Sequence, residues 1–158
     1  SYKKIMQFYH MFKLNFPSYQ IPIKNKENKM LVFDCIRKKW ISLIPEEWVR
    51  VNCIQFLINE KKIPKSLISV EKEFKLNNLK KRFDIVVYNR NGKVQVLIEC
   101  KAPTVKIKQT VFNQISKYNL VLKSKYLMIT NGINHYFFVM NFKAKKIEFI
   151  KELPSYEL

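Results

Sequence analysis

The hydrophobic rhythm of this chain changes several times, and each change predicts an element. Residues 1–29 mix aromatics with Pro17, Pro22 and a polar run at 24–29, which predicts an irregular or short-helical lead-in. Residues 30–33 and 40–44 are apolar and flank a turn around 34–39, the pattern of a small hairpin. Pro45 followed by Glu46 and Glu47 starts a helix, because proline fits the first turn and acids suit the helix N-terminus. It runs to about Glu60, with Val49, Cys53, Phe56 and Leu57 on one face, and Pro64 stops it. Residues 67–74 alternate as a strand. Two β-rich runs, 82–88 and 93–101, flank Asn89-Arg90-Asn91-Gly92, where Asn-Gly is the strongest short-range hairpin signal. A helix at 106–122 carries Val111, Phe112, Ile115, Tyr118 and Leu122 at helical spacing. A second hairpin, 126–130 with 135–140, turns at Asn131-Gly132, and 146–150 is a last short strand. The order implies one mixed sheet with helices, and the chain contains no internal repeat.

The first Asn-Gly turn also fixes a register. With Asn91 and Gly92 at its centre, Val86 faces Leu97 and Asp84 faces Glu99. Side chains alternate between faces, so Asp84, Glu99 and Lys101 share one side. Phe83, Ile85, Val87, Val94, Val96, Ile98 and Cys100 are expected on the other, dry side. A bulged turn would shift this register by one residue.

Composition narrows the setting. At 158 residues the chain is read as a single domain, 1–44 leading into a core at 45–150, and 47% hydrophobic residues can fill it. Both of its 2 glycines fall in the turns, which excludes a glycine-rich nucleotide cradle and any nucleotide cofactor held that way. No stretch is apolar enough for a membrane span, and the aromatic segment at 5–12 is too short for a signal region. Three cysteines without metal-finger spacing fit a reducing cytoplasm. The net charge of +18 attracts polyanions, nucleic acid foremost. A lysine- and asparagine-rich, arginine-poor chain also follows from AT-rich coding, so charge alone does not assign the partner.

The chemistry lies in the paired acids. Two facing carboxylates repel each other unless a cation lies between them. Mg²⁺, or Mn²⁺, suits such a pair, because a hard ion takes one or two carboxylates, keeps waters and accepts phosphate oxygens. The backbone carbonyl of Cys100 is a candidate third ligand. A metal there lowers the pKa of bound water, and Lys101 is placed to orient that water and to neutralise a phosphorane. The competing reading is an ordinary cross-strand Asp–Lys pairing on a half-exposed sheet, and the residues alone leave the two balanced. Lys80, Lys81 and Arg82 before the pair, and Lys106 and Lys108 after it, are candidate phosphate contacts or simply solvated charge. Glu71 is a further candidate acid, or an exposed strand residue. His135 reads as a surface or core histidine, His10 carries no signal, and no cysteine has a histidine partner for thiol chemistry.

Asp84 with Glu99-Cys100-Lys101 resembles the signature of the PD-(D/E)xK nucleases. The stretches at 36–50, 81–88, 98–103, 114–119 and 130–132 together resemble the N-terminal nuclease domain of type I restriction enzyme R subunits. The resemblance implies a restriction-endonuclease-like α/β (α+β) fold, a mixed central sheet flanked by helices. It further implies a Mg²⁺-dependent DNA endonuclease site with Asp84 and Glu99 on the metal and Lys101 in catalysis. It also suggests a helix-borne acid near the site, Glu47 being chosen over Glu46, with compensation of the helix dipole as an equal alternative. Gln114 and Tyr118, four apart on one helical face, match a Gln-x-x-x-Tyr motif of some such nucleases. They are expected to position DNA or Lys101, or to pack on the sheet. The chain lacks the phosphate-binding loop of a helicase motor. The expectation is therefore a motorless DNA nuclease, stand-alone or a fragment, with restriction-modification or other defence-system subunits as possible partners. The alternative is a catalytically silent nuclease fold that binds nucleic acid or protein.

Overall fold

The computed structural model describes residues 13–156 together with Lys3 and Met6. The remaining residues of the expected lead-in, His10 included, lie outside the described set. A three-stranded antiparallel sheet comes first: β1 (Ile23–Lys26), β2 (Lys29–Asp34) and β3 (Lys39–Ser42). Helix α1 (Pro45–Asn59) follows, then β4 (Ile68–Leu76), β5 (Leu79–Tyr88) and β6 (Val94–Cys100). Helix α2 (Gln109–Leu122) crosses to β7 (Tyr126–Thr130), and β8 (His135–Asn141) and β9 (Lys146–Ile150) complete the chain order. These last six strands form one sheet, paired in sequence order. Only β6 and β7 run parallel, because a helix rather than a tight turn joins them. The α+β architecture expected from the sequence is present.

Each face of the large sheet has its own core. On one side α1 sets Val49, Cys53, Ile54 and Leu57 against Ile85, Val87, Val96, Ile98 and Cys100. On the other, Ile115 of α2 packs with Phe83, Val86, Leu97, Leu127 and Ile129.

Three features depart from the expectations. The run at 24–29 is a strand and turn, not irregular lead-in; Glu27 and Asn28 take left-handed φ and close a tight β1–β2 hairpin. Helix α1 is buried on two sides rather than one, since Trp48 and Val51 pack on Val32 and Leu43 of the small sheet region. The β5–β6 turn has three residues instead of two. The Asn89 N–H donates to the Lys93 carbonyl at 2.8 Å, and Gly92 supplies the left-handed position with φ of 73°.

That turn by itself sets the strands one residue out of the expected register. A bulge puts it back: Tyr88 pairs with Val94 but Val87 pairs with Val96, leaving Gln95 extra. Beyond the bulge the pairs Val86↔Leu97 and Ile85↔Ile98 are those expected. Two residues expected on the dry α1 side lie on the α2 side instead. Val94 sits beyond the bulge, and Phe83 lies just where β5 parts from β6.

Candidate active site

The β5–β6 ladder ends at Ile85↔Ile98, and the acids lie where the strands part. With the ladder finished, the Cys100 N–H has no strand partner and donates to Asp84 Oδ2 at 2.7 Å. This bond fixes the Asp84 carboxylate in the gap beside β6. Glu99, one residue before Cys100, is only 8% exposed. Its Oε1 lies 3.5 Å from Lys81 Nζ, an ion pair without a hydrogen bond. Burial, and then the neighbouring Asp84 charge, push the Glu99 carboxyl up to about 7, with Lys81 and Lys101 acting the other way. Lys101 follows directly, its N–H anchored on the Thr130 carbonyl of β7 at 2.8 Å. Lys81, Glu99, Lys101, Val111, Gln114 and Ile115 line a cleft of about 10 Å³, space for little more than one water. A larger cavity, about 350 Å³, lies at the other end of these strands, around Tyr88, Gln95, Tyr126 and Tyr156. No carboxylate lines it, so size does not locate the chemistry here.

The first turn of α1 presents two acids, and they face different partners. Glu47 is tied to Arg37 at 3.1 Å and to Arg50. Glu46 is raised by burial and by Asp84, and steadied by Lys101. The helix-borne acid beside the site is thus Glu46; Glu47, the choice from sequence, belongs to the arginine cluster behind it. Sequence could not separate the neighbours because Arg37 comes from a different sheet. Glu46→Gln should lower any cleavage rate on the order of 10²-fold with stability within about 0.5 kcal/mol. Glu47→Gln should instead cost roughly 1–3 kcal/mol by weakening its charge-assisted bonds to Arg37 and Arg50, with activity kept in the folded protein. Parallel urea melts and cleavage assays check this, and a reversed pattern would restore Glu47.

Other expected residues divide similarly. Gln114 reaches the cleft, and Tyr118 meets Phe83 edge-on with Lys81 Nζ 5.4 Å from its ring. Lys81 points inward to Glu99, while Lys80 and Arg82 are exposed. Lys106 and Lys108 are exposed on the loop leaving the site, which Asn131 Nδ2 pins through the Val105 carbonyl at 2.9 Å. Glu71 is no exposed strand residue: burial opposes its ionisation, but Arg50 and Arg37 prevail and hold its pKa low. His135 is structural, with Nδ1 2.7 Å from Thr130 Oγ1 and Nε2 2.6 Å from the Asn15 carbonyl. Cys35, Cys53 and Cys100 are free thiols, and burial raises Cys35.

Sequence reasoning missed the supporting set of Arg37, Arg50, Thr130 and Asn131. Buried arginines and a Thr-Asn-Gly turn look ordinary in one dimension. Gly132 was legible as a turn, but not for its close approach: a Cβ there would sit 2.7 Å from Leu14 Cδ2.

The site's fit to a divalent cation rests on Glu99. A buried carboxylate oxygen lacks a hydrogen bond and faces a second carboxylate, a pairing that a small cation relieves. Among the described residues no three His, Cys, Asp or Glu side chains converge as a metal cluster. A cation held by two carboxylates and a backbone carbonyl would keep several waters, a shell that Mg²⁺ accepts.

Comparison with known proteins gives the following. A family model described as the type I restriction enzyme R protein N terminus (HSDR_N) matches residues 45–154. A solved fragment described as an HsdR subunit of a type I restriction enzyme from Vibrio vulnificus YJ016 aligns with TM-score 0.47 and 16% identity. That alignment covers 65% of this chain and 22% of the other. No curated protein matches.

Proposed function

Because the chain belongs to the family of type I restriction enzyme R protein N termini, we propose that it is a Mg²⁺-dependent DNA endonuclease domain. The observation that supports this most is the buried Glu99 carboxylate beside Asp84, its Oε1 met by Lys81 at the long distance of 3.5 Å, with Lys101 two residues on. Asp84, Glu99 and the Cys100 carbonyl would hold Mg²⁺ or Mn²⁺. Bound there, the cation supplies charge against the phosphate and lowers the pKa of a water. Lys101 would orient the attacking water and offset charge growing on the phosphate. Glu46, which feels the charges of Asp84 and Lys101, would help position Lys101 from the α1 side. Gln114 presents an amide to the substrate's backbone at the cleft wall. The cleft is too small to enclose a substrate and suits a phosphodiester presented on a polymer surface. Among the described residues no helix is long and apolar enough to cross a membrane, and the reading takes a cytoplasmic setting. Its partners would be DNA and restriction-modification subunits.

The test is nicking of supercoiled plasmid by the purified chain in Mg²⁺ or Mn²⁺ against EDTA, beside Lys101→Ala. Metal-dependent nicking lost in the variant supports the nuclease. Metal binding by calorimetry with cutting only after motor or methylase subunits are added supports a docked nuclease. Absence of metal binding would leave a silent binding module.

A further inference from the structure

Strands β4 and β5 continue past the point where β5 parts from β6. The pairs Lys72↔Phe83, Glu73↔Arg82, Phe74↔Lys81, Lys75↔Lys80 and Leu76↔Leu79 therefore form a two-stranded ribbon beside the site. One face of it is committed: Phe74 and Phe83 pack together, Leu76 is buried, and Lys81 turns to Glu99. Alternation gives the other face Lys75, Lys80, Arg82 and Glu73, all exposed. Lys75 and Lys80 lie directly opposite each other, a like-charge pair that disfavours the hairpin. Glu73, 3.5 Å from Lys80, is a single acid against three cations. At the tip Asn77 and Asn78 take the left-handed turn, and Leu79 next to them is 64% exposed. No packing role in the described fold accounts for Leu79, which lies opposite the buried Leu76 at the tip yet stays exposed.

We infer that this ribbon is a duplex-DNA contact arm whose tip enters the major groove and delivers the backbone to the site. The inference rests on the nuclease reading and names where its substrate is held. Two strands about 4.8 Å apart fit a groove about 12 Å wide, which admits a two-stranded ribbon. Phosphate relieves the Lys75–Lys80 repulsion. Along β5, Arg82 stands ~7 Å and Lys80 ~14 Å from Asp84. They project from the face opposite Lys81, so a phosphate strand laid on them approaches the carboxylates from the α1 side of the gap between β5 and β6. Lys106 and Lys108 border the site from the following loop.

The test is equilibrium binding in EDTA, where no cleavage occurs, of a 20-bp duplex across a salt series. Lys75→Gln/Lys80→Gln/Arg82→Gln is compared with Lys143→Gln/Lys145→Gln/Lys146→Gln, equal in charge loss and exposed at the β8–β9 turn. The ribbon triple should reduce the salt slope by about 2 to 3 and weaken binding at least ~10-fold at 0.1 M salt, with an unchanged melting temperature. The control triple should change the slope by less than ~1. Glucosylated 5-hydroxymethylcytosine, which fills the major groove, should weaken binding, and netropsin in the minor groove should not. Equal loss from both triples would reduce the ribbon to general charge and overturn the inference. So would netropsin competition, or equal affinity for A-form RNA, whose major groove is too narrow. Nicking that survives while the ribbon triple binds normally sinks the arm alone; lost binding in a chain that never cuts sinks the nuclease alone.

Discussion

Glu99→Gln should abolish metal-dependent cleavage, by more than about 10³-fold, while making the metal-free protein more stable at pH 8 by about 3 kcal/mol. The two effects have one origin. In the folded chain, burial and Asp84 raise the Glu99 carboxyl from its ordinary 4.5 to about 7. Between those values the folded state holds a proton that the unfolded state has released, so stability falls as pH rises through this window and levels off above 7. The loss is about 1.4 kcal/mol for each pH unit, hence about 3 kcal/mol in full. Glutamine copies the protonated form and removes that dependence. Lys81 loses its partner but is 20% exposed, so little is forfeited there. Urea melts of both proteins in EDTA at pH 5 and pH 8 would show most of the difference at the higher pH. Mg²⁺ reverses the ordering, since it binds the ionised pair and stabilises wild type alone. Equal stability at both pH values would mean that Glu99 ionises normally and that no strained carboxylate pair awaits a cation.

This strained pair was visible in the sequence only because two local irregularities cancelled. A two-residue Asn-Gly turn and the observed three-residue turn with a bulge at Gln95 put the same residues opposite one another at Val86 and Ile85. Elements with strong local signals were legible: Pro45 and its acids at the start of α1, the apolar face of α2, and both glycine turns. What was not legible depends on contacts between distant segments. Nothing near Glu47 announces that Arg37 of the small sheet will claim it, leaving Glu46 to face Asp84. Nothing near Lys81 says that it turns inward while its neighbours turn out, because that follows from Phe83 crossing to α2. Strand β1 was hidden by its polar composition; an exposed edge strand carries no hydrophobic alternation to read.

The largest stability effect is expected at Arg50, which touches none of the proposed catalytic atoms. Its side chain is 4% exposed and is paired with Glu47 and with Glu71, the latter at 3.2 Å. Arg37 binds the same two acids and also Asp34 at 2.6 Å. Asp34 in turn caps the β2–β3 turn through the N–H groups of Ile36 and Arg37. Two arginines and three carboxylates thus join the small sheet, α1 and β4, and the set stands one charge negative when all are ionised. Arg50→Met keeps the volume but leaves three acids around one guanidinium, with Asp84 also within electrostatic reach. Removing one partner from a buried ionic set costs roughly 3–5 kcal/mol, a melting-temperature drop of about 10 °C for a chain of this length. Arg50→Lys should recover only part of it, because an ammonium cannot serve two carboxylates with a planar fork. The decisive variant is double: Glu47→Gln, destabilising alone, should be neutral or stabilising on the Arg50→Met background, where it removes an uncompensated charge. Additive losses in that cycle, or an Arg50→Met loss below about 1 kcal/mol, would show that the arginines are solvated passengers and that α1 is held by its apolar faces alone.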